Sequence, residues 1–240
     1  MQLGQYYVLV SLPTFVYMKI RAIITGATGM VGEGVLHECL QDSRVEHVLN
    51  VSRKTCGVVH RKLKELIVAN FFDLSAVADQ LMGYNACFFC LGVSSIGLKE
   101  YEFYKLTHTL TLHMATLLGE RNPDMTFCYV SGTGTDSSEK GSTMWARVKG
   151  KTENNLMALP FKQVFNFRPG YIHPTPGLKN TKSYYKYLSW LYPMVSKVAP
   201  SFVITLHQLG QAMINSVGKT KQRRVLEVND IKALAEEGNV

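Results

Sequence analysis

Thr25-Gly26-Ala27-Thr28-Gly29-Met30-Val31-Gly32 is the stretch whose reading decides the fold. Before it, Lys19 to Thr25 (KIRAIIT) is a short β-branched run, the mark of a buried parallel strand. After it, Val31, Val35, Leu36 and Leu40 fall on one face of a helix predicted over 29–41. A glycine turn between strand and helix leaves backbone N–H groups free at the helix N-terminus, where the helix dipole favours phosphate. Gly26 permits the tight turn, Gly29 lets the backbone approach a pyrophosphate, and Gly32 allows close helix–strand contact. A tight turn with no ligand is the weaker reading, because this one opens an alternating fold.

Further strands are predicted at Val45 to Ser52, Leu66 to Asn70, Asn85 to Leu91, Met125 to Ser131 and Gln163 to Arg168. Helices are predicted over 100–120, broken by Asn122-Pro123, and over 142–158, stopped by Leu159-Pro160. Strands alternating with helices imply an α/β protein with a parallel sheet covered on both faces. From Tyr171 to Ser201 the alternation lapses into prolines (Pro174, Pro176, Pro193, Pro200) and aromatics (Tyr184, Tyr185, Tyr187, Trp190, Tyr192). This predicts a small substrate lobe over 171–203 with one amphipathic helix near 183–197. A helix over 204–217 and a strand at Arg224 to Val228 complete the core. The division is thus an extension over 1–17, a dinucleotide-binding core over 18–170, the lobe over 171–203, and a closing segment over 204–240.

The chain has 240 residues, 46% hydrophobic and 18% charged, which excludes disordered and fibrous classes. Lysine plus arginine is 26 against 18 acids, a net +8 that points to an anionic partner: nucleotide, nucleic acid or membrane surface. Five scattered cysteines fit reduced thiols rather than a disulfide framework. Cys87 and Cys90 would face opposite sides of a strand, as buried thiols. The first 18 residues lack a charged side chain, and no stretch approaches transmembrane length, so a soluble cytoplasmic protein is expected. The seven histidines show no ligand spacing, so no metal is expected. Lys219, Lys221, Arg223 and Arg224 form a basic cluster without a nucleic-acid motif, so neither nucleic acid nor membrane is expected as a partner.

The Gly-x-x-Gly-x-x-Gly turn is followed by Asp73-Leu74, Cys90-Leu91-Gly92, Ser131, Lys149 and Arg168-Pro169-Gly170. In this order the sequence resembles the extended and atypical branches of the short-chain dehydrogenase/reductase superfamily. These branches include nucleoside-diphosphate-sugar epimerases and NmrA-like and Tat-interacting-protein-like oxidoreductases. The resemblance runs from Met18 over nearly the whole chain. It implies a doubly wound Rossmann sheet of strand order 3-2-1-4-5-6-7. It also implies cofactor contacts from Gly26, Thr28, Gly29, Met30, Val31, Gly32, Ser52, Arg53, Lys54, Asp73, Leu74, Cys90, Leu91, Gly92, Lys149, Pro169, Gly170 and Ile172. The end of the second strand meets the adenosine ribose in such folds, and a carboxylate there selects NAD. Val51-Ser52-Arg53-Lys54 has no acid; Ser52 can donate a hydrogen bond and Arg53 can bind a 2′-phosphate, so NADP(H) is preferred and NAD(H) possible. A solvated basic loop continuing into His60, Arg61, Lys62 and Lys64 is the alternative. Asp73 would accept from the adenine amino group with Leu74 on the ring, or cap a helix beside Ser75.

The resemblance also implies a catalytic Tyr-x-x-x-Lys pair, with a serine orienting the carbonyl. Ser131 and Lys149 match, but Trp145 stands at the tyrosine position. An indole N–H donates a hydrogen bond and is no acid or base near neutral pH. The family's helix asparagine is replaced as well, aligning with Thr107. Tyr171 and His173 are candidate substitutes for the proton, each also readable as an ordinary pocket residue. The expectation is an oxidoreductase or epimerase with altered proton chemistry; the alternative is a catalytically silent NADP(H)-binding redox sensor or regulatory partner. A small-molecule ligand is expected, and Lys179, Lys182 and Lys186 would suit a phosphorylated, nucleotide-linked or planar one, unless they form a solvated face. A homodimer through the 100–120 and 142–158 helices is implied by the resemblance alone.

Overall fold

Strand β1 (Ile20–Thr25) is buried everywhere except Arg21, as a central parallel strand must be. The computed structural model describes residues 18–180, 192–220 and 223–237. On either side of β1 lie β2 (Val45–Ser52) and β4 (Ala86–Phe89), both parallel to it. Outward from these run β3 (Leu63–Ile67) on one flank, and β5 (Thr126–Val130), β6 (Gln163–Arg168) and β9 (Val225–Glu227) on the other. The seven-stranded order is β3-β2-β1-β4-β5-β6-β9. This is the doubly wound arrangement expected, with the closing strand in the predicted place.

Residue alternation along each strand divides the core. Ala22, Ile24, Val48, Phe88 and Phe167 face one cluster, and Ile23, Leu49, Val51, Phe89 and Phe127 the other. The first face is covered by α1 (Met30–Gln41), α6 (Leu206–Ser216) and α7 (Val228–Glu236). The second is covered by a 3₁₀ turn (Ser75–Leu81), α3 (Leu110–Arg121) and α4 (Met144–Met157). Cys87 belongs to the second cluster and Cys90 packs against the first, and all five cysteines are free thiols. Because every strand of this sheet runs the same way, the loops after β1, β2, β4, β5 and β6 gather at one edge.

Several boundaries differ from the sequence reading. The third strand lies at Leu63–Ile67, not Leu66 to Asn70: it is the sheet edge, its residues alternate, and its ladder with β2 begins at Val48↔Leu63. The predicted 100–120 helix is α2 (Glu100–Tyr104) and α3 joined by a π-helical turn over Lys105–Thr109. The predicted helix near 183–197 lies mostly outside the described residues; its described part is α5 (Tyr192–Val198). Two strands escaped the sequence altogether: β7 (Tyr171–His173) and β8 (Val203–Thr205) pair in parallel as a separate ribbon. Three residues are too few to show a period.

Helix α4 is pressed against the loop after β5. A Cβ at Gly150 would collide with the carbonyl of Asp136, and backbone there cannot yield cheaply. Gly150→Ala is therefore expected to cost about 1–3 kcal/mol of stability, read as a lowered denaturation midpoint with an unchanged slope.

Candidate functional site

The glycine turn is built for two purposes that separate cleanly. Gly26 has φ +76°, and a Cβ on it would sit 2.6 Å from the carbonyl oxygen of Cys90. A Cβ on Gly32 would collide with the carbonyl of Gly26. Packing thus explains both. It does not explain Gly29, where a Cβ would meet only the Gly26 carbonyl oxygen, at 3.4 Å, from an exposed position. Gly29 is also the N-cap of α1, and no side chain caps that end. Met30 and Val31 pack partly against the core, and the first amides of α1 have no acceptor within the helix. Such free amides at a helix start suit an anion.

A cavity of about 310 Å³ lies beside this turn, lined by Gly26, Thr28, Val51, Ser52, Arg53, Lys54, Phe71 and Leu91. A second, of about 200 Å³, shares Arg53, Phe71 and Leu91 with it and adds Asn70, Phe72, Gly92 and Val93. Thr28, Arg53, Lys54, Leu91 and Gly92 are therefore brought together with the turn. Ser52 is placed differently from the direct hydrogen-bond donor expected: it is 5% exposed, and its hydroxyl donates to the carbonyl of Lys54 at 2.6 Å. Leu74 is 1% exposed in the core, away from both cavity linings. Asp73 accepts from the amide and hydroxyl of Ser75, which hold its exposed carboxyl below the usual range. This is a local turn contact just ahead of the 3₁₀ turn, whose N-cap is Leu74 and carries no side-chain cap. Asn70, Phe71 and Phe72, just ahead of Asp73 and Leu74, line the cavities. Cys90 is half-buried against the core beneath Gly26, and burial raises its thiol far above the ordinary range.

The opposite end of the crevice is organised by a residue the sequence reading passed over. Glu153, on α4, is fully buried. Its carboxylate accepts from the hydroxyl of Ser131 at 2.5 Å and from Arg168 Nε at 3.0 Å and Nη2 at 2.5 Å. Arg168 also reaches Glu227 at 3.2 Å and Ser137 at 2.5 Å. The Ser131 hydroxyl, expected to orient a carbonyl, points instead into this network. Lys149, one helical turn before Glu153, hydrogen-bonds the backbone carbonyl of Ser131. Burial pushes its ammonium down to about 8, against the pull of Glu153. Trp145, a further turn back, is half-buried, and its ring lies 3.5 Å from the Cβ position of Gly134. Thr107 sits buried in the π-helical turn.

After β6, Pro169 is buried and its carbonyl accepts from the amide of Thr133 at 2.9 Å, clamping the two loops. A Cβ on Gly170 would collide with the carbonyl of Phe202, so Gly170 serves packing. Ile172 is in the core. Tyr171 is half-buried, and burial, with Tyr192, raises its phenol. His173 stacks on Tyr192 at 3.9 Å, and burial lowers its pKa. Its Nδ1 has no hydrogen-bond partner among the described residues. Glu33, in the first turn of α1, ties this lobe down: its two oxygens accept from the amides of Lys179 at 2.8 Å and Asn180 at 2.7 Å. Lys182 and Lys186 lie outside the described residues. Of the C-terminal basic cluster, Lys219 pairs with Glu237, Arg223 pairs with Asp230 at 2.9 Å, and Arg224 donates to the carbonyl of Met157 at 3.3 Å; Lys221 is not described.

The model of the NAD dependent epimerase/dehydratase family matches residues 22–144. Curated relatives include protein fmp52-1, mitochondrial, of Aspergillus terreus, 28% identical over 157 residues, 63% of this chain and 66% of that one. Another is protein FMP52, mitochondrial, of Candida glabrata, 31% identical over 155 residues, 63% of each chain. These matches span just under two thirds of the relatives' own length. Among solved structures, Bordetella bronchiseptica WbmF in complex with NAD+ superposes with TM-score 0.63 at 12% identity, covering 92% of this chain and 78% of that one. Helicobacter pylori ADP-L-glycero-D-manno-heptose-6-epimerase gives 0.63 at 14% identity, covering 92% and 82%. At such identities these two establish the fold alone. The cytoplasmic expectation is corrected by the curated relatives, which are named mitochondrial. No helix among the described residues is long and apolar enough to cross a membrane.

The Glu153 network has a spectroscopic signature. In ¹³C-lysine-labelled protein, the Cε resonance of Lys149 is expected to titrate with a midpoint of about 8. Glu153→Gln removes the negative charge that favours the ammonium, so its midpoint falls further. A wild-type midpoint in the ordinary lysine range, about 10.4, contradicts the buried placement.

Proposed function

The chain belongs to the NAD dependent epimerase/dehydratase family, and on that premise we propose that it binds a nicotinamide dinucleotide, NADP(H) in preference to NAD(H). We further propose that it is an oxidoreductase or epimerase whose proton chemistry departs from the tyrosine route. Support for binding comes above all from the cavity of about 310 Å³ enclosed between the glycine turn and the Ser52-Arg53-Lys54 loop. Its walls fit the group: free amides at the start of α1 for the pyrophosphate, an open face at Gly29, two cations for a 2′-phosphate, and Phe71 for the adenine side. When bound, the nicotinamide supplies hydride donation or acceptance.

The chain's own residues supply the rest. Lys149 holds hydroxyl groups of the nicotinamide ribose with its ammonium and, with a pKa of about 8, is the side chain in this crevice that changes charge near neutral pH. Trp145 donates a hydrogen bond and excludes water, but moves no proton. Ser131 fixes Glu153 and the end of β5, and orients a substrate only if its hydroxyl leaves Glu153. Tyr171 and His173, on the lobe side, are the other groups able to carry a proton. The ligand is a small molecule, the compartment mitochondrial as the relatives' names indicate, and α3 and α4 supply the homodimer contact.

One observation favours a second function. Trp145 and the inward Ser131 hydroxyl together disarm two of the three catalytic positions. A catalytically silent NADP(H)-binding redox sensor or regulatory partner would need no more than the cofactor half of the crevice.

Fluorescence separates the two. NADPH titration is expected to quench Trp145 emission, with the quench lost in Trp145→Phe. NADPH oxidation across a panel of carbonyl compounds marks an enzyme, and binding without oxidation marks the sensor. Failure of both NADPH and NADH to bind refutes the premise common to both. A second measurement is Trp145→Tyr: restoring the proton donor beside Lys149 is expected to raise reductase turnover by about 10²-fold or more.

A further inference from the structure

Arg53 and Lys54 are exposed, and among the described residues their side chains enter no ion pair or hydrogen bond. Two mobile cations select a 2′-phosphate poorly, because ordering them on binding costs conformational entropy. The backbone that carries them is nevertheless held from both ends by one carboxylate. Glu65 lies on β3 directly opposite Asn50 of β2. Its Oε1 accepts from Asn50 Nδ2 at 3.0 Å and from the Cys56 amide at 2.8 Å, and its Oε2 accepts from the Thr55 hydroxyl at 2.5 Å. Asn50 Nδ2 also donates to the Ser52 hydroxyl at 3.3 Å, which donates in turn to the carbonyl of Lys54 at 2.6 Å. The Thr55 oxygen then accepts from the Gly57 amide at 3.1 Å.

The chain Glu65–Asn50–Ser52–Lys54 fixes the front of the loop, and Glu65 with Thr55 and Cys56 fixes its rear. Burial alone would raise the Glu65 carboxyl; the Cys56 amide, the Thr55 hydroxyl and Asn50 outweigh it and hold it down to about 2. Neutral donors hold this carboxylate ionised, and neither Arg53 nor Lys54 is drawn into an ion pair with it beside the cavity they line.

We propose that Glu65 is a positioning residue for cofactor choice: by bracing residues 52–57 it presents Arg53 and Lys54 to a 2′-phosphate, and so sets the preference for NADP(H). This rests on the cofactor reading above. The bracing acts on the Arg53-Lys54 edge of the cavity, where that reading puts the 2′ substituent. Loss of Glu65 therefore weakens NADPH binding and spares NADH.

The test is calorimetric titration of the full chain with NADPH and with NADH, in wild type, Glu65→Gln and Thr55→Val. Wild type is expected to prefer NADPH. Glu65→Gln is expected to cut that preference by about tenfold, roughly what one well-placed charge-assisted contact contributes, with NADH affinity within about twofold of wild type. Thr55→Val, an exposed and isosteric change, is expected to cut it in the same direction but less, and it carries the test should Glu65→Gln fail to fold. A wild type without preference overturns the NADP(H) reading and the inference with it. A wild-type preference that both variants retain overturns the inference alone. So does an equal loss of both cofactors in Glu65→Gln, which would mark Glu65 as a purely structural brace.

Discussion

A fully buried carboxylate cannot stand unpaired in a protein interior, and the far half of this crevice follows from that constraint. Glu153 is matched by a guanidinium and a hydroxyl brought from the ends of two neighbouring strands. Removing one partner of such a buried pair typically costs about 3–5 kcal/mol, a large share of the 5–15 kcal/mol that holds a domain folded. Helix α4 is thereby pinned to the carboxyl ends of β5 and β6. Lys149 and Trp145 sit one and two turns earlier on the same helix, so their positions follow from that attachment. Both side chains are located by a residue that faces away from solvent altogether.

Legibility in the sequence tracked burial. β2 and β6 were read to the residue, and β1 nearly so, because each is mostly buried and carries β-branched, leucine or aromatic residues on both faces. β3 was misplaced because an edge strand alternates, and Leu63-Lys64-Glu65-Leu66-Ile67 resembles a solvated loop. Asp73 and Leu74, expected at the adenine from the resemblance, lie outside both cavity linings, which Asn70, Phe71 and Phe72 enter instead. Glu153 was invisible for a different reason. Within Lys151-Thr152-Glu153-Asn154 nothing marks a buried acid; its partner Arg168 arrives only when the sixth strand is laid beside the fifth. The glycine turn, by contrast, carries its meaning locally: the tight turn at Gly26 and the close contact at Gly32 are legible in the spacing of the glycines alone.

The net charge of +8 divides unevenly over the molecule. Arg147, Arg168, Lys219 and Arg223 enter ion pairs between segments, and Arg44 pairs locally with Asp42. Most exposed pairs of this kind contribute little energy, but they remove cations from the list of ligand-binding candidates. At the cavity beside the glycine turn, the cations outside such pairs are Arg53 and Lys54.

Glu33 has a consequence of a mechanical kind. It belongs to the first turn of the helix that follows the glycine turn, and it grips Lys179 and Asn180 across 146 and 147 positions of sequence. The start of that helix and the backbone beyond the sixth strand are thus tied to one carboxylate. Residues 179–180 are anchored to the neighbourhood of the turn directly, not through the sheet between them.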